Sequence, residues 1–169
     1  MASIIERSGD YVSAFVEPHS EDSEDIFMGK PIIDESQASD KYYMALGIGN
    51  FKVRRKLMDK FEFAEFPPII DPSAVVLGTL GAGVVVCPMA FVGVDTNIGR
   101  GTIVNTNASI DHDCKIGEFV NINPNVTLCG GVGVWSDLYI AAGKTILPNE
   151  VIYSNVKFNT GKELKTKDE

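Results

Sequence analysis

The sequence predicts a mainly β protein, in which a parallel β-helix of hexapeptide repeats follows a small α/β unit. The first observation is a row of aliphatics. Stepping by six from Ala74 through Leu80, Val86 and onward to Ile152 meets 14 positions, all Ala, Val, Ile or Leu. Those four types are 52 of the 169 residues, so composition alone would give about four hits. The second is a parallel row four residues later. It reads Gly78, Val84, Ala90, Thr96, Thr102, Ala108, Cys114, Val120, Val126, Val132 and Leu138, all small or apolar, and is lost at Lys144 and Glu150. The third is that Gly, Asn and Asp crowd the intervening positions, as turns require. A period of six suits neither an α-helix nor a hairpin. It suits short strands joined by turns, three to a coil, with coils stacking at ~4.8 Å.

In the N-terminal unit, assigned to positions 1–66, "YVSAFV" (Tyr11–Val16) and "YYMALGIG" (Tyr42–Gly49) read as strands. "NFKVRRKLMDKF" reads as a helix capped by Asn50, with Val53, Leu57 and Phe61 on one face. Strands alternating with helices predict a small parallel α/β unit. "EPHSEDSEDIFMGKP" is acidic and loop-like, and "EFPPIIDPSA" is a linker whose prolines stop a helix. The β-helix is assigned to 67–156 and a C-terminal tail to 157–169. The aliphatic rows alone do not offset the entropy of ordering such a prism, so further burial between subunits is expected.

A net charge of −8 and scattered basic residues argue against a nucleic-acid partner. There is no secretory segment and no 18-residue apolar run, so a cytoplasmic protein with no membrane partner is expected. Cys87, Cys114 and Cys129 match no zinc spacing and read as free thiols. A three-histidine metal site, as in γ-type carbonic anhydrases, is excluded because His19 and His112 are the only histidines. No metal site is expected.

Three segments carry a resemblance: "ALGIGNFKVRRKLMDKF", "PPIIDPSAVV" and "IVNTNASIDHDCKIGEFVNINPNVTLCGGV". The third is the most specific, through Asn-Thr-x(4)-Asp-His-Asp-Cys-x-Ile-Gly. Over roughly residues 4–152 the chain resembles the bacterial acetyl-CoA-dependent acetyltransferases that act on nucleotide-linked amino sugars, together with the related sialic acid O-acetyltransferases. The resemblance implies a left-handed β-helix, a homotrimer, acetyl-CoA bound between neighbouring prisms, and a sugar nucleotide held by the α/β unit. Compared with that family, the α/β unit reads as truncated, lacking the first strand and its Gly-rich loop. The repeat ends after Ile152, where relatives continue for a coil or more.

His112 falls at a turn of its hexad, and a neutral imidazole can take a proton from an attacking amine or hydroxyl. The alternative is a solvated turn histidine. The resemblance implies His112 as general base and Asp113 as its orienting acid, while Asp111 reads equally as a turn former. It also implies Gly130 as the oxyanion donor, and the same Cys-Gly-Gly backbone, with Gly131, as lining for the coenzyme; Gly143 is expected to line the coenzyme channel similarly. Asn105 is a candidate acceptor-sugar ligand. Asn121 stands where many relatives carry a second histidine, and asparagine donates hydrogen bonds without titrating. Glu17 matches the acidic residues that bind the nucleotide base. Gly49 and Asn50, at a strand-to-helix turn, are candidates for cradling a phosphate. Two functions are carried forward. One is an acetyl-CoA-dependent sugar N- or O-acetyltransferase, and the other is a non-catalytic trimeric β-helix scaffold or relic.

Overall fold

The computed structural model describes residues 1–17 and 26–153. His19, most of the acidic loop, the last residues assigned to the β-helix and the tail 157–169 lie outside them. The chain folds as a left-handed parallel β-helix with a small α/β unit packed on one corner. Fifteen two-residue strands, from β4 (Ile69–Ile70) to β18 (Val151–Ile152), form three parallel sheets of five strands each, the walls of a triangular prism. Partners in later coils keep one constant offset of three hexads, as in Ile103↔Asn121. The second residue of each strand points inward, and Val86, Val92, Val104, Ile110, Ile122 and Ile140 are fully buried. The second row, from Val84 to Leu138, fills the inner corners and is equally buried.

The first coil departs from the expected register. The pairs Ile69↔Val85 and Val75↔Phe91 fall two positions short of three hexads, whereas Thr79↔Asn97 regains the full offset. The corner between β5 (Val75–Val76) and β6 (Thr79–Leu80) is therefore the short one. Val76, not Ala74, takes the inward strand position, and Ala74 belongs to the second row. The linker expected at "EFPPIIDPSA" already holds strand β4.

A third row of period six emerges only in the backbone. Gly83, Met89, Asp95, Gly101, Asn107, Asp113, Phe119, Asn125, Gly131, Asp137, Gly143 and Asn149 all have φ between 54° and 73°. From Gly83 onward the prism corners turn through a left-handed residue, which explains the Gly, Asn and Asp between the apolar rows. Met89 and Phe119 are the exceptions in residue type. Phe119 is fully buried at φ 54°. It packs beneath Gly101, whose missing Cβ leaves the room, and faces the guanidinium groups of Arg55 and Arg100 at 4.1 and 5.2 Å. Together with Met58, Phe61 and Phe66 it forms the apolar seam between the α/β unit and the prism.

The α/β unit begins with α1 (Ala2–Arg7), whose Ile4 is buried near the first coil. Arg7 reaches the buried carboxylate of Asp71 at 2.9 Å. Strand β1 (Phe15–Glu17) pairs in parallel with β3 (Lys30–Asp34), and β2 (Ile26–Phe27) pairs antiparallel with β3 across the Met28-Gly29 turn. The end of the expected acidic loop is thus a hairpin, made possible by two positive-φ turn residues. The expected strand at Tyr42–Gly49 does not form. Tyr43 makes one parallel bridge with Glu65, and the carbonyls of Ile48 and Gly49 accept from a side chain instead. Helix α2 (Phe51–Lys60) is capped as expected: the Asn50 side chain accepts from the N–H groups of Lys52 and Val53. Its buried face differs, because Val53 is exposed while Arg54 and Met58 face inward.

Candidate functional site

The strands β11 (Ser109–Ile110) and β12 (Lys115–Ile116) meet at a corner formed by residues 111–114. His112 stands at its tip, with its side chain 57% exposed. Its Nδ1 lies 2.7 Å from Asp113 Oδ2, and its backbone N–H donates to Asp111 Oδ1 at 2.8 Å. Asp113 can face the ring from the adjacent position because it is the left-handed corner residue. With Nδ1 tied to a carboxylate, Nε2 is the nitrogen that is available to react. The Asp113 hydrogen bond, followed by the charge of Asp111, raises the imidazole pKa above its ordinary value.

One coil further on, Gly130 lies directly beside the ring. A Cβ there would stand 2.7 Å from His112 Cε1 and Nε2. The imidazole therefore rests against bare backbone. The Gly130 carbonyl accepts from the Asn149 N–H, and the Gly131 N–H donates to the His112 carbonyl at 2.9 Å. The Gly130 N–H is bonded to no acceptor among the described residues. A left-handed φ of 73° and the adjoining Asn149 amide make glycine the fitting residue at 131. His112, Asp113, Gly130 and Gly131 thus form one cluster. The corner leads onto an open groove of about 610 Å³ on the next wall, lined by Asn97, Lys115, Gly117, Gly133, Trp135 and Ser136.

Gly49, Asn50 and Asn121 form a second cluster on another side of the prism. With Phe51, Lys52 and Tyr139 they line an open cavity of about 410 Å³ at the start of α2. Behind it Arg54 is fully buried. Its Nε donates to the Gly101 carbonyl (2.6 Å), Nη1 to Ile48 (2.7 Å) and Gly49 (3.3 Å), and Nη2 to Asn121 Oδ1 (2.6 Å). The Asn121 amide donates to the Gly49 carbonyl at 2.5 Å. Both polar ends of Asn121 are thus engaged within the chain. Burial pulls the guanidinium down to about 10. Nothing in the helix pattern marked Arg54 beforehand, because an arginine on an amphipathic helix ordinarily faces water.

The remaining candidates stand apart from both clusters. Asn105 lies at the corner before β11, where its Oδ1 accepts from the Thr106 N–H, and Gly143 lies on the same edge two coils later. A Cβ on Gly143 would meet nothing within 4 Å. Glu17 ends β1, in register with Asp34. Cys114 is buried and Cys87 half-buried, and burial raises both thiol pKa values. Among the described residues, no helix is long and apolar enough to cross a membrane.

Comparison with family models and with curated proteins finds no match. Solved structures do match. The acetyltransferase domain of PglB from Neisseria gonorrhoeae superposes with a TM-score of 0.77 at 25% identity, over 92% of this chain and 87% of that one. The same domain in complex with acetyl coenzyme A gives 0.76 at 24%, over 89% and 85%. GDP-perosamine N-acetyltransferase from Caulobacter crescentus, in complex with CoA and GDP-perosamine, gives 0.74 at 23%, over 98% and 90%. These neighbours are acetyltransferases of the kind that the sequence motif resembles.

Proposed function

We propose that this chain transfers the acetyl group of acetyl-CoA to an amino or hydroxyl group of a nucleotide-linked sugar, with His112 as the general base. The observation that carries the reading is the His112 cluster: Nδ1 is held by Asp113, and Nε2 lies against Gly130. The likeness to the PglB acetyltransferase domain supports the acetyl donor, and the sequence motif supports a sugar acceptor. The acceptor N–H or O–H attacks the thioester carbonyl while Nε2 takes its proton. The Gly130 N–H, unpaired within the described residues, donates to the oxyanion, a contribution worth about 3–4 kcal/mol in known oxyanion holes. The C–S bond then breaks, and the imidazolium returns the proton to the departing thiolate. Asp113 orients the ring and favours its protonated form in the intermediate.

Gly131 and Gly143 are proposed to line the coenzyme channel. Asn105, Glu17, Gly49, Asn50 and Asn121 are proposed on the acceptor side. A homotrimer is part of this reading. In one chain the His112 corner and the Asn121 cavity lie on different sides of the prism, so a neighbouring copy is the natural source of the missing wall. The proposed setting is polysaccharide biosynthesis in the cytoplasm.

Thiol release from acetyl-CoA, measured with and without a nucleotide-linked amino sugar, tests the reading. Release should depend on the acceptor and fall by ~10²–10⁴-fold in His112→Ala. Folded His112→Ala turning over at the wild-type rate would remove His112 from the mechanism. A stable assembly that binds no acetyl-CoA by calorimetry would favour the scaffold function instead.

A further inference from the structure

From Val84 to Leu138 the buried second row is purely apolar except at Thr96, Thr102 and Cys114. These three perform one structural task. Thr96 Oγ1 donates to the Asp111 carbonyl at 2.7 Å and accepts from the Cys114 N–H at 3.1 Å. One hydroxyl thus spans both ends of the corner 111–114. Cys114 continues the ladder, since its thiol faces the Cys129 carbonyl at 3.3 Å across the corner that carries Gly130. Thr102 does the same on another side, donating to the Gly117 carbonyl at 2.9 Å and accepting from the Val120 N–H at 3.0 Å. Its corner carries Phe119, on which α2 docks. The corners at 87–90, 105–108 and 123–126 close differently. There the fourth residue's N–H donates straight to the first residue's carbonyl. At 111–114 the Thr96 hydroxyl stands between those two groups, and the direct bond between them is replaced by two bonds through it.

We propose that Thr96 is a positioning residue for His112: its hydroxyl, interposed between the Asp111 carbonyl and the Cys114 N–H, sets the stance from which the imidazole meets Asp113 and Gly130. The inference rests on His112 as the reacting group, but it can be read from the ring itself, independently of acetyl transfer.

The experiment is an NMR titration of the His112 ring in the full chain, assigned against His112→Ala because His19 is the other histidine. Wild type should titrate above ~6.5, the ordinary histidine value. Thr96→Val should fall toward that value by about 0.5 unit or more, as the Asp113 contact loosens. Thr96→Ser should match wild type. Thr102→Val should also match wild type, while losing thermal stability comparable to Thr96→Val. If Thr96→Val does not fold, Thr96→Ala is read in the same way, since Ala90 and Ala108 occupy equivalent positions. A Thr96→Val ring that titrates like wild type, or a Thr102→Val ring that shifts equally, would overturn the proposal. Where turnover is measurable, Thr96→Val should lower kcat about tenfold with the KM for acetyl-CoA unchanged. Absence of any acetyl transfer would count against the proposed function, and the titration would still decide the role of Thr96.

Discussion

Gly130→Ala offers a sharp separation of stability from chemistry. The added methyl would lie 2.7 Å from His112 Cε1 and Nε2 and 3.3 Å from Nδ1. Ordinary contact begins near 3.4 Å, so the ring must retreat by roughly 0.7 Å or more. The imidazole is exposed and free to swing outward, but Nδ1 is held 2.7 Å from Asp113 Oδ2. A retreat of that size stretches the bond toward the ~3.2 Å limit of a good hydrogen bond or swings the ring off it. The backbone at Gly130 is not left-handed, so alanine adds no φ strain. Stability should therefore change by no more than about 0.5 kcal/mol. A catalytic group displaced by about 1 Å costs ~10²-fold in rate. Gly130→Ala should thus keep the wild-type thermal midpoint while kcat falls ~10²-fold at saturating acetyl-CoA, followed by thiol release. The His112 titration should fall at the same time. Wild-type kcat with an unmoved titration would refute the steric argument. A collapse of the thermal midpoint would refute the view that this glycine serves the ring and not the fold.

Because Asp113 and then Asp111 raise the His112 pKa, kcat/KM should rise with pH through a limb that lies above the ordinary histidine value of ~6.5. Asp113→Asn should move that limb to lower pH and lower its plateau, as a pH–rate profile would show. Arg54→Met removes four hydrogen bonds donated by a buried guanidinium, leaving the Gly101 and Ile48 carbonyls and the Asn121 amide oxygen short of a donor, and should cost about 3 kcal/mol by urea unfolding. The Asp71 carboxyl is held below its ordinary value first by the Ser73 hydroxyl and also by Arg7. Its contribution is present above the unfolded carboxyl pKa and lost as pH falls through the folded one. Acid should thus lower the thermal midpoint of wild type more than that of Asp71→Asn.

The prism was legible because one inward side chain recurs at every sixth position, a spacing that no helix or hairpin imitates. The short first corner was not. Ala74 fits the aliphatic row by type, and only the pairing of Val75 with Phe91 shows that Val76 is the inward residue. His112 and Gly130 were nominated separately from the motif, and their contact one coil apart emerges only from the stacking of the coils. Asn121 was nominated from the same motif, but its partners come from α2 and the loop before it, which no period connects to the prism. Tyr42–Gly49 has the residue types of a strand. Its carbonyls are claimed by Arg54 instead, a tertiary contact overriding local propensity. The polar break in the second row at Thr96 and Thr102 was visible in the sequence, although its purpose emerges only from the carbonyls those hydroxyls reach.

The fixed offset between neighbouring strands makes this prism a one-dimensional array. Each coil holds and is held almost solely by the coils before and after it. Cooperativity should therefore spread along the axis like a row of coupled units, with the ends opening before the middle. His112 lies in the third of five coils and Gly130 in the fourth. The pair that must keep sub-ångström register thus occupies an inner stretch of the array, flanked by coils on both sides. A whole coil of three hexads could be gained or lost at an end with little effect on that register, and the short corner before Thr79 shows that a corner absorbs a change of length, whereas a single residue inserted within one of the two-residue strands between Asp111 and Gly130 would turn its inward side chain outward.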